Sequence, residues 1–272
     1  MFKGIFGMFS YTFMQYALLV GLLVSLCAAL LGVLLVLRRY SMIGDGLSHV
    51  GFGALSVAYA MSLAPMAVAV PVVILAAFLL LGISENPKIK GDSAVAVLSS
   101  SALAVGVITN SLAGGSATDI SGYLFGSILA LKKSDVILSV VLSLVVILLF
   151  VLFKNRIFSV TFDMSFAKSA GVHVSLYNLL LALLIAITVV VGMQIVGSLL
   201  ISSLIIFPAL SAMQIAKSFR SVLLLSAVIS VGAFLVGLLL SMALPAGAVI
   251  VLCNLAVLLV CTVIGKFTNK GK

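Results

Sequence analysis

Asp45 and His49 stand four residues apart in Ser41-Met42-Ile43-Gly44-Asp45-Gly46-Leu47-Ser48-His49-Val50-Gly51-Phe52-Gly53, and apolar sequence continues to Met61. A spacing of four puts both side chains on one face of a helix, one above the other. One oxygen and one nitrogen donor on a single stripe form half of a divalent transition-metal site. A carboxylate and an imidazole in hydrocarbon each cost kcal/mol of insertion free energy, so ionisable groups there mark a path or a site. The structural alternative is a buried Asp–His hydrogen bond that ties two helical turns together. With Arg39 at the cytoplasmic interface and about 1.5 Å of rise per residue, Asp45 lies about 9 Å in and His49 about 15 Å in, near the midplane. Gly44, Gly46, Gly51 and Gly53 around the pair permit close helix approach and local unwinding.

The elements that must carry this pair are membrane-spanning helices. The chain is 64% hydrophobic and 8% charged, with a mean hydropathy of +1.44, far outside the range of soluble domains. At about 20 residues per crossing, the apolar runs predict nine spans, near 16–37, 41–62, 65–84, 92–112, 134–153, 174–192, 195–216, 220–241 and 248–266. The fold class expected is all-α: one polytopic transmembrane helical bundle over residues 1–272, surrounded by lipid. The formal charge of +9 is explained by topology, not by a nucleic-acid partner. With the N-terminus outside, every basic residue except Lys3, Lys132 and Lys133 is cytoplasmic, as the positive-inside rule requires. Cys27, Cys253 and Cys261 lie in apolar spans without paired spacing and read as small buried hydrophobes. The first sixteen residues lack the pattern of a cleaved signal peptide, and no internal repeat is visible.

Three connections stand out. Residues 113–133 contain an apolar piece too short to cross and read as a loop followed by a half-helix or re-entrant segment. Residues 154–173 form the longest cytoplasmic connection, and within it 161–171 suits a short helix that begins at Asp163 and stops at Gly171. Phe162, Phe166 and Ala170 share one face of that segment, as docking requires. An ordinary interfacial helix fits the same pattern. Leu244-Pro245-Ala246-Gly247 is a tight external turn, and Pro208 is expected to kink the span that holds it. His173, at the edge of the cytoplasmic connection, reads as a solvated loop histidine.

One chain supplies one carboxylate and one imidazole, too few donors for a transition metal. A two-fold dimer with this helix on its axis supplies two of each, an N2O2 set that suits tetrahedral zinc, whereas manganese prefers more oxygens. The chain has no G-x-x-x-x-G-K-[ST] phosphate loop, so it is not its own ATPase. A transporter of this kind is a secondary carrier or the membrane half of an ATP-driven system.

Arg38-Arg39-Tyr40-Ser41 through Asp45-Gly46-Leu47-Ser48-His49 resembles the signature of the permeases of zinc/manganese/iron ABC importers. Tyr123-Leu124-Phe125-Gly126-Ser127 is similar to that family's external segment, especially in its zinc-uptake branch. The stretch from Val196 through Ala209 and Pro245-Ala246-Gly247 fit as well. Gly46 departs from the alanine or threonine usual there. The resemblance covers essentially the whole chain. It implies a non-enzymatic permease subunit of the bacterial plasma membrane that works with a second copy of itself, cytoplasmic ATP-binding subunits and an extracellular or periplasmic metal-binding protein. It also implies that Asp45 and His49 line the translocation path, and that the segment with Phe162, Asp163, Phe166 and Gly171 couples to the ATPase. No permanently bound cofactor is expected, since the metal is cargo. Zinc is the expected metal, with manganese or ferrous iron the alternative inside the family. A proton-coupled secondary carrier is the alternative outside it, and a cobalamin- or siderophore-type permease fits less well because it needs a wide cavity.

Overall fold

The computed structural model describes residues 12–84, 91–114, 133–241 and 245–269, and all its regular elements are helices. They are α1 (Thr12–Leu37), α2 (Ile43–Ala60), α3 (Pro65–Ser84), α4 (Gly91–Leu112), α5 (Lys133–Phe162), α6 (Met164–Ser169), α7 (Val174–Val196), α8 (Ser198–Ile215), α9 (Phe219–Leu240) and α10 (Ala246–Asn269). The expected segment Tyr123–Ser127, the half-helix before Lys133 and Leu244 of the expected turn fall outside the described residues.

Seven of these helices are long and apolar enough to cross a membrane: α1, α3, α4, α5, α7, α9 and α10. The other two spans expected from sequence are α2 and α8. Each is an 18-residue helix, about 27 Å long at 1.5 Å per residue. α2 carries Asp45, His49 and four glycines, and α8 is rich in serine near its start.

Two expectations about boundaries are corrected. The span placed at 134–153 is a 30-residue helix that continues to Phe162. Lys154, Asn155 and Arg156 interrupt the hydropathy but not the helix, because Lys, Arg and their neighbours are adequate helix formers once the segment leaves the bilayer. The connection expected over 154–173 therefore shrinks to the stretch from Asp163 to His173. The break between the sixth and seventh expected spans falls at Gly197, which has φ +96 and so a backbone shape that favours glycine. α8 remains helical through Pro208.

α1 and α7 are the most enclosed of the long helices. α1 packs on α5, α7, α8 and α9, and polar groups fasten it. Ser230 and Ser226 of α9 donate to the Ser25 and Ala29 carbonyls at 2.9 and 3.3 Å. Interhelical hydrogen bonds of this kind hold helices together where the hydrophobic effect offers no preference between lipid and protein. Around α2 stand α3, α4, α7 and α8 of the same chain.

α8 lies against both α1 and α2 through its residue Ile205. A Cβ at Gly32 of α1 would collide with the Ile205 carbonyl oxygen, and one at Gly44 of α2 would stand 3.1 Å from the Ile205 side chain. The backbone of α8 can therefore touch α1 only because position 32 has no side chain. Gly32→Ala is expected to push the two helices apart and to cost about 1–3 kcal/mol of overpacking, read as a lower midpoint of thermal unfolding in detergent. Gly82→Ala, where a new Cβ meets nothing within 4 Å, should leave that midpoint unchanged. Equal midpoints for the two variants would refute the close-contact account.

Candidate metal path and cytoplasmic junction

Asp45 sits in the first turn of α2, where the partial positive charge of a helix N-terminus favours a carboxylate. His49 follows one turn later on the same face. Oδ2 of Asp45 lies 3.7 Å from Nε2 of His49. That separation is too long for a hydrogen bond, so the structural tie considered from sequence is not formed. It suits one bridging ion: with bonds of about 2.0–2.2 Å to each donor, a single cation spans up to about 4.2 Å. The His49 side chain is 13% exposed and that of Asp45 32%, so the pair is enclosed but reachable. Nδ1 of His49 is buried and has no hydrogen-bond partner among the described residues.

The other oxygen of Asp45 is engaged. Ser202 of α8 donates to Oδ1 at 3.2 Å across 157 residues of sequence. Sequence reading passed over this serine, because a small hydroxyl in an apolar helix is ordinary and nothing local pairs it with α2. Among the described residues no group of three or more His, Cys, Asp or Glu side chains gathers to hold a metal. The cluster here is the pair alone, one carboxylate and one imidazole on one face of α2.

The glycines of α2 serve packing inside one chain. A Cβ at Gly46 would stand 2.7 Å from Val95 Cγ1 of α4, one at Gly53 would stand 2.7 Å from the Ala102 carbonyl oxygen of α4, and one at Gly51 would collide with Met193 of α7. The Gly46 face of α2 is occupied by α4 of the same chain.

The connection between α5 and α7 is built around a short helix with well-formed ends. Asp163 is the N-cap of α6, and its Oδ1 accepts from the Phe166 N–H at 2.9 Å. At the other end Gly171 has φ +77, with Gly171 N–H donating to Lys168 O at 3.1 Å and Val172 N–H to Ala167 O at 3.0 Å. This is a Schellman termination, and the left-handed residue it needs is glycine. Ala167 is fully buried against the body while Phe166 is 65% exposed.

Phe162 differs from expectation. It is the last residue of α5, not part of the short helix, and its ring packs on Phe158 and Phe219 with centroids 4.4 and 6.4 Å away. The common face proposed for Phe162, Phe166 and Ala170 is therefore split between two helices. His173 is exposed, as its loop position suggested. An open cleft of about 920 Å³ lies beside α6, with Tyr40, Ser165, Lys168, His173 and Asn178 on its walls.

Arg38 has a role that sequence reading missed. Its Nε donates to Thr161 Oγ1 at 3.1 Å and its Nη1 to Asn178 Oδ1 at 2.7 Å. One guanidinium thus joins the end of α1 to α5, just before α6, and to α7, just after it. Arg156 adds a second tie, donating to the Tyr177 hydroxyl at 3.2 Å. The neighbouring Arg39 takes a left-handed conformation, φ +60, and closes α1 with the same pattern of bonds as Gly171: Tyr40 N–H to Leu35 O and Arg39 N–H to Val36 O. A non-glycine residue there costs about 1–2 kcal/mol, and the reward is a sharp turn that delivers α2, with Asp45 in its first turn.

With this geometry in view, comparisons with known proteins are specific. The profile of the ABC 3 transport family (ABC-3) matches residues 10–265. The manganese import system permease protein ScaB of Streptococcus gordonii is 33% identical over 256 residues, covering 93% of this chain and 92% of that protein. The high-affinity zinc uptake system membrane protein ZnuB of Haemophilus influenzae is 29% identical over 225 residues, covering 83% and 86%. The solved structure of PsaBC from Streptococcus pneumoniae in complex with Fab superposes with a TM-score of 0.85 at 31% identity, covering 96% of this chain and 95% of that one. Together with the seven apolar helices, these matches make this a multi-pass protein of the bacterial plasma membrane that belongs to the ABC 3 transport family.

Proposed function

We propose that this chain is the permease subunit of an ATP-driven importer of a divalent transition metal, and that Asp45 and His49 are donors on the metal's path. The observation that carries the reading is the 3.7 Å gap between Asp45 Oδ2 and His49 Nε2, which one ion can bridge. Family membership supports import, as do the names of the manganese and zinc relatives. Residues 1–272 act as one membrane domain with no permanent cofactor, the metal being cargo. α2 and α8, lodged among longer helices, complete nine crossings with the N-terminus outside. Two copies work together with separate cytoplasmic ATPases and an external metal-binding protein. The ion's remaining coordination positions are open to water or to donors from the second copy.

Zinc is the cargo that the nitrogen-and-oxygen donor set favours. Manganese is the second reading, favoured by the named manganese importer with 33% identity. Uptake competition between isotopically labelled zinc and manganese separates them: the metal that displaces the other at lower concentration is the cargo.

The coupling surface is proposed to be α6, with Asp163 and Gly171 setting its ends and Phe166 as the anchor it offers to the ATPase. An exposed Phe on a helix held by caps at both ends suits insertion into a groove. Phe162 contributes less directly, by bracing the end of α5.

Three outcomes test this proposal. Asp45→Ala and His49→Ala are each expected to abolish high-affinity uptake of labelled metal while membrane insertion is retained, since either change leaves one protein donor per chain. Wild-type uptake by either variant would remove that residue from the path. Phe166→Asp is expected to weaken ATPase association by about thirtyfold, the loss of about 2 kcal/mol from one anchor, read by co-purification and by uncoupled ATP hydrolysis. Retention of the ATPase at wild-type yield, with wild-type uptake, would make α6 an interfacial helix only. Uptake that persists with no ATPase present would instead favour a proton-coupled carrier. Phe162→Ala should act differently, lowering the thermal midpoint through loss of its aromatic contacts, worth about 0.5–1.5 kcal/mol, with ATPase association largely kept. A Phe162→Ala protein of unchanged stability that fails to hold the ATPase would place Phe162 on the docking surface itself.

A further inference from the structure

The two oxygens of the Asp45 carboxylate are not equivalent. Oδ2 faces His49 Nε2 at 3.7 Å, while Oδ1 accepts the Ser202 hydroxyl at 3.2 Å. The position of that hydroxyl is set by helix packing. One turn further along α8, Ile205 is seated against Gly32 of α1 and Gly44 of α2, so α8 cannot slide without breaking both contacts. His49 Nδ1 has no partner among the described residues, so no hydrogen bond of its own turns the imidazole. The carboxylate is the group in the pair whose orientation is held by a bond from outside α2.

A carboxylate can grip a cation with one oxygen or with two. One-oxygen ligation beside an imidazole suits a small ion of low coordination number such as zinc. A two-oxygen grip adds an oxygen donor and suits ions that take more oxygens, such as manganese. A hydroxyl bonded to Oδ1 fixes the carboxylate plane and occupies one of that oxygen's lone pairs, leaving Oδ2 as the free ligand. We infer that Ser202 is a specificity-determining positioning residue: its hydroxyl holds Asp45 to one-oxygen ligation and thereby biases the path toward zinc relative to manganese. The inference rests on the metal path proposed above.

The test compares the complete transporter carrying wild-type permease, Ser202→Ala, Ser202→Thr, Ser202→Cys or Asp45→Ala in proteoliposomes. Uptake of labelled zinc and of labelled manganese is measured over a range of concentrations, and the ratio of the two apparent KM values is the readout. The external binding protein is the same in every arm and cancels from the comparison. Ser202→Ala is expected to lower the manganese-to-zinc KM ratio by about fivefold, the worth of one hydrogen bond, alongside the small fall in thermal midpoint that losing an interhelical bond brings. Ser202→Thr, which keeps the hydroxyl, should retain the wild-type ratio. Ser202→Cys, nearly isosteric with a weak donor, should shift it in the direction of alanine, and decides the question if the alanine variant does not fold. A ratio that stays constant, including a parallel rise of both KM values, makes Ser202 a structural tie only and overturns the inference. If this occurs while Asp45→Ala loses uptake, the metal-path reading stands without it. Wild-type uptake by Asp45→Ala overturns both.

Discussion

The cost of keeping a carboxylate and an imidazole away from water organises this molecule. Neither group tolerates lipid, so the helix that carries them must be wrapped by protein on nearly every side. α2 is wrapped by α3, α4, α7 and α8, and its glycines let those neighbours come close enough to exclude lipid without adding bulk. Burial among the long spans does not follow hydropathy: α4 is the least hydropathic of them and the least buried, while the strongly hydropathic α1 is among the most buried. Position in the bundle, not apolar composition, shelters α2 with its ionisable pair and small residues.

From that constraint follows the part played by α8. A half-buried carboxylate needs hydrogen-bond partners, and the one observed outside α2 comes from Ser202. Supplying it requires α8 to lie against both α1 and α2, which Gly32 and Gly44 permit. The orientation of the Asp45 carboxylate and the packing of the helices are therefore specified by the same few small residues. At the far end of α1 Arg38 makes a comparable union, binding Thr161 and Asn178 on either side of the short helix α6. The turn that follows Arg38 leads directly into α2, so polar contacts join the segments flanking α6 to the start of the helix that carries Asp45.

Much of this was legible in the sequence, because its strongest signals are local. Hydropathy located the helices, the spacing of Asp45 and His49 put them on one face, and Asp163 and Gly171 marked the ends of α6. What was not legible is the set of contacts between residues far apart in the chain. Ser202 looked like any hydroxyl in an apolar helix, and only the packing of α8 across α1 showed its partner. Arg38 read as a topological charge, not as a bridge between two other helices. The end of α5 was misplaced because hydropathy reports where lipid stops and not where a helix stops. The glycines around Asp45 and His49 marked close approach but not its partner, because sequence cannot say which neighbour fills the space beside a glycine; beside Gly46 it is α4.

The length of α5 has a consequence for where force is delivered. From Lys154 to Phe162 the helix continues nine residues past its apolar stretch, about 13 Å of rigid rise at 1.5 Å per residue. That is comparable with the thickness of a headgroup layer and exceeds a Debye length of about 8 Å at physiological ionic strength. α6 follows directly on this extension. The extension has the geometry of a lever arm: a small tilt of the apolar part of α5 becomes a larger sideways displacement at its tip, where α6 begins.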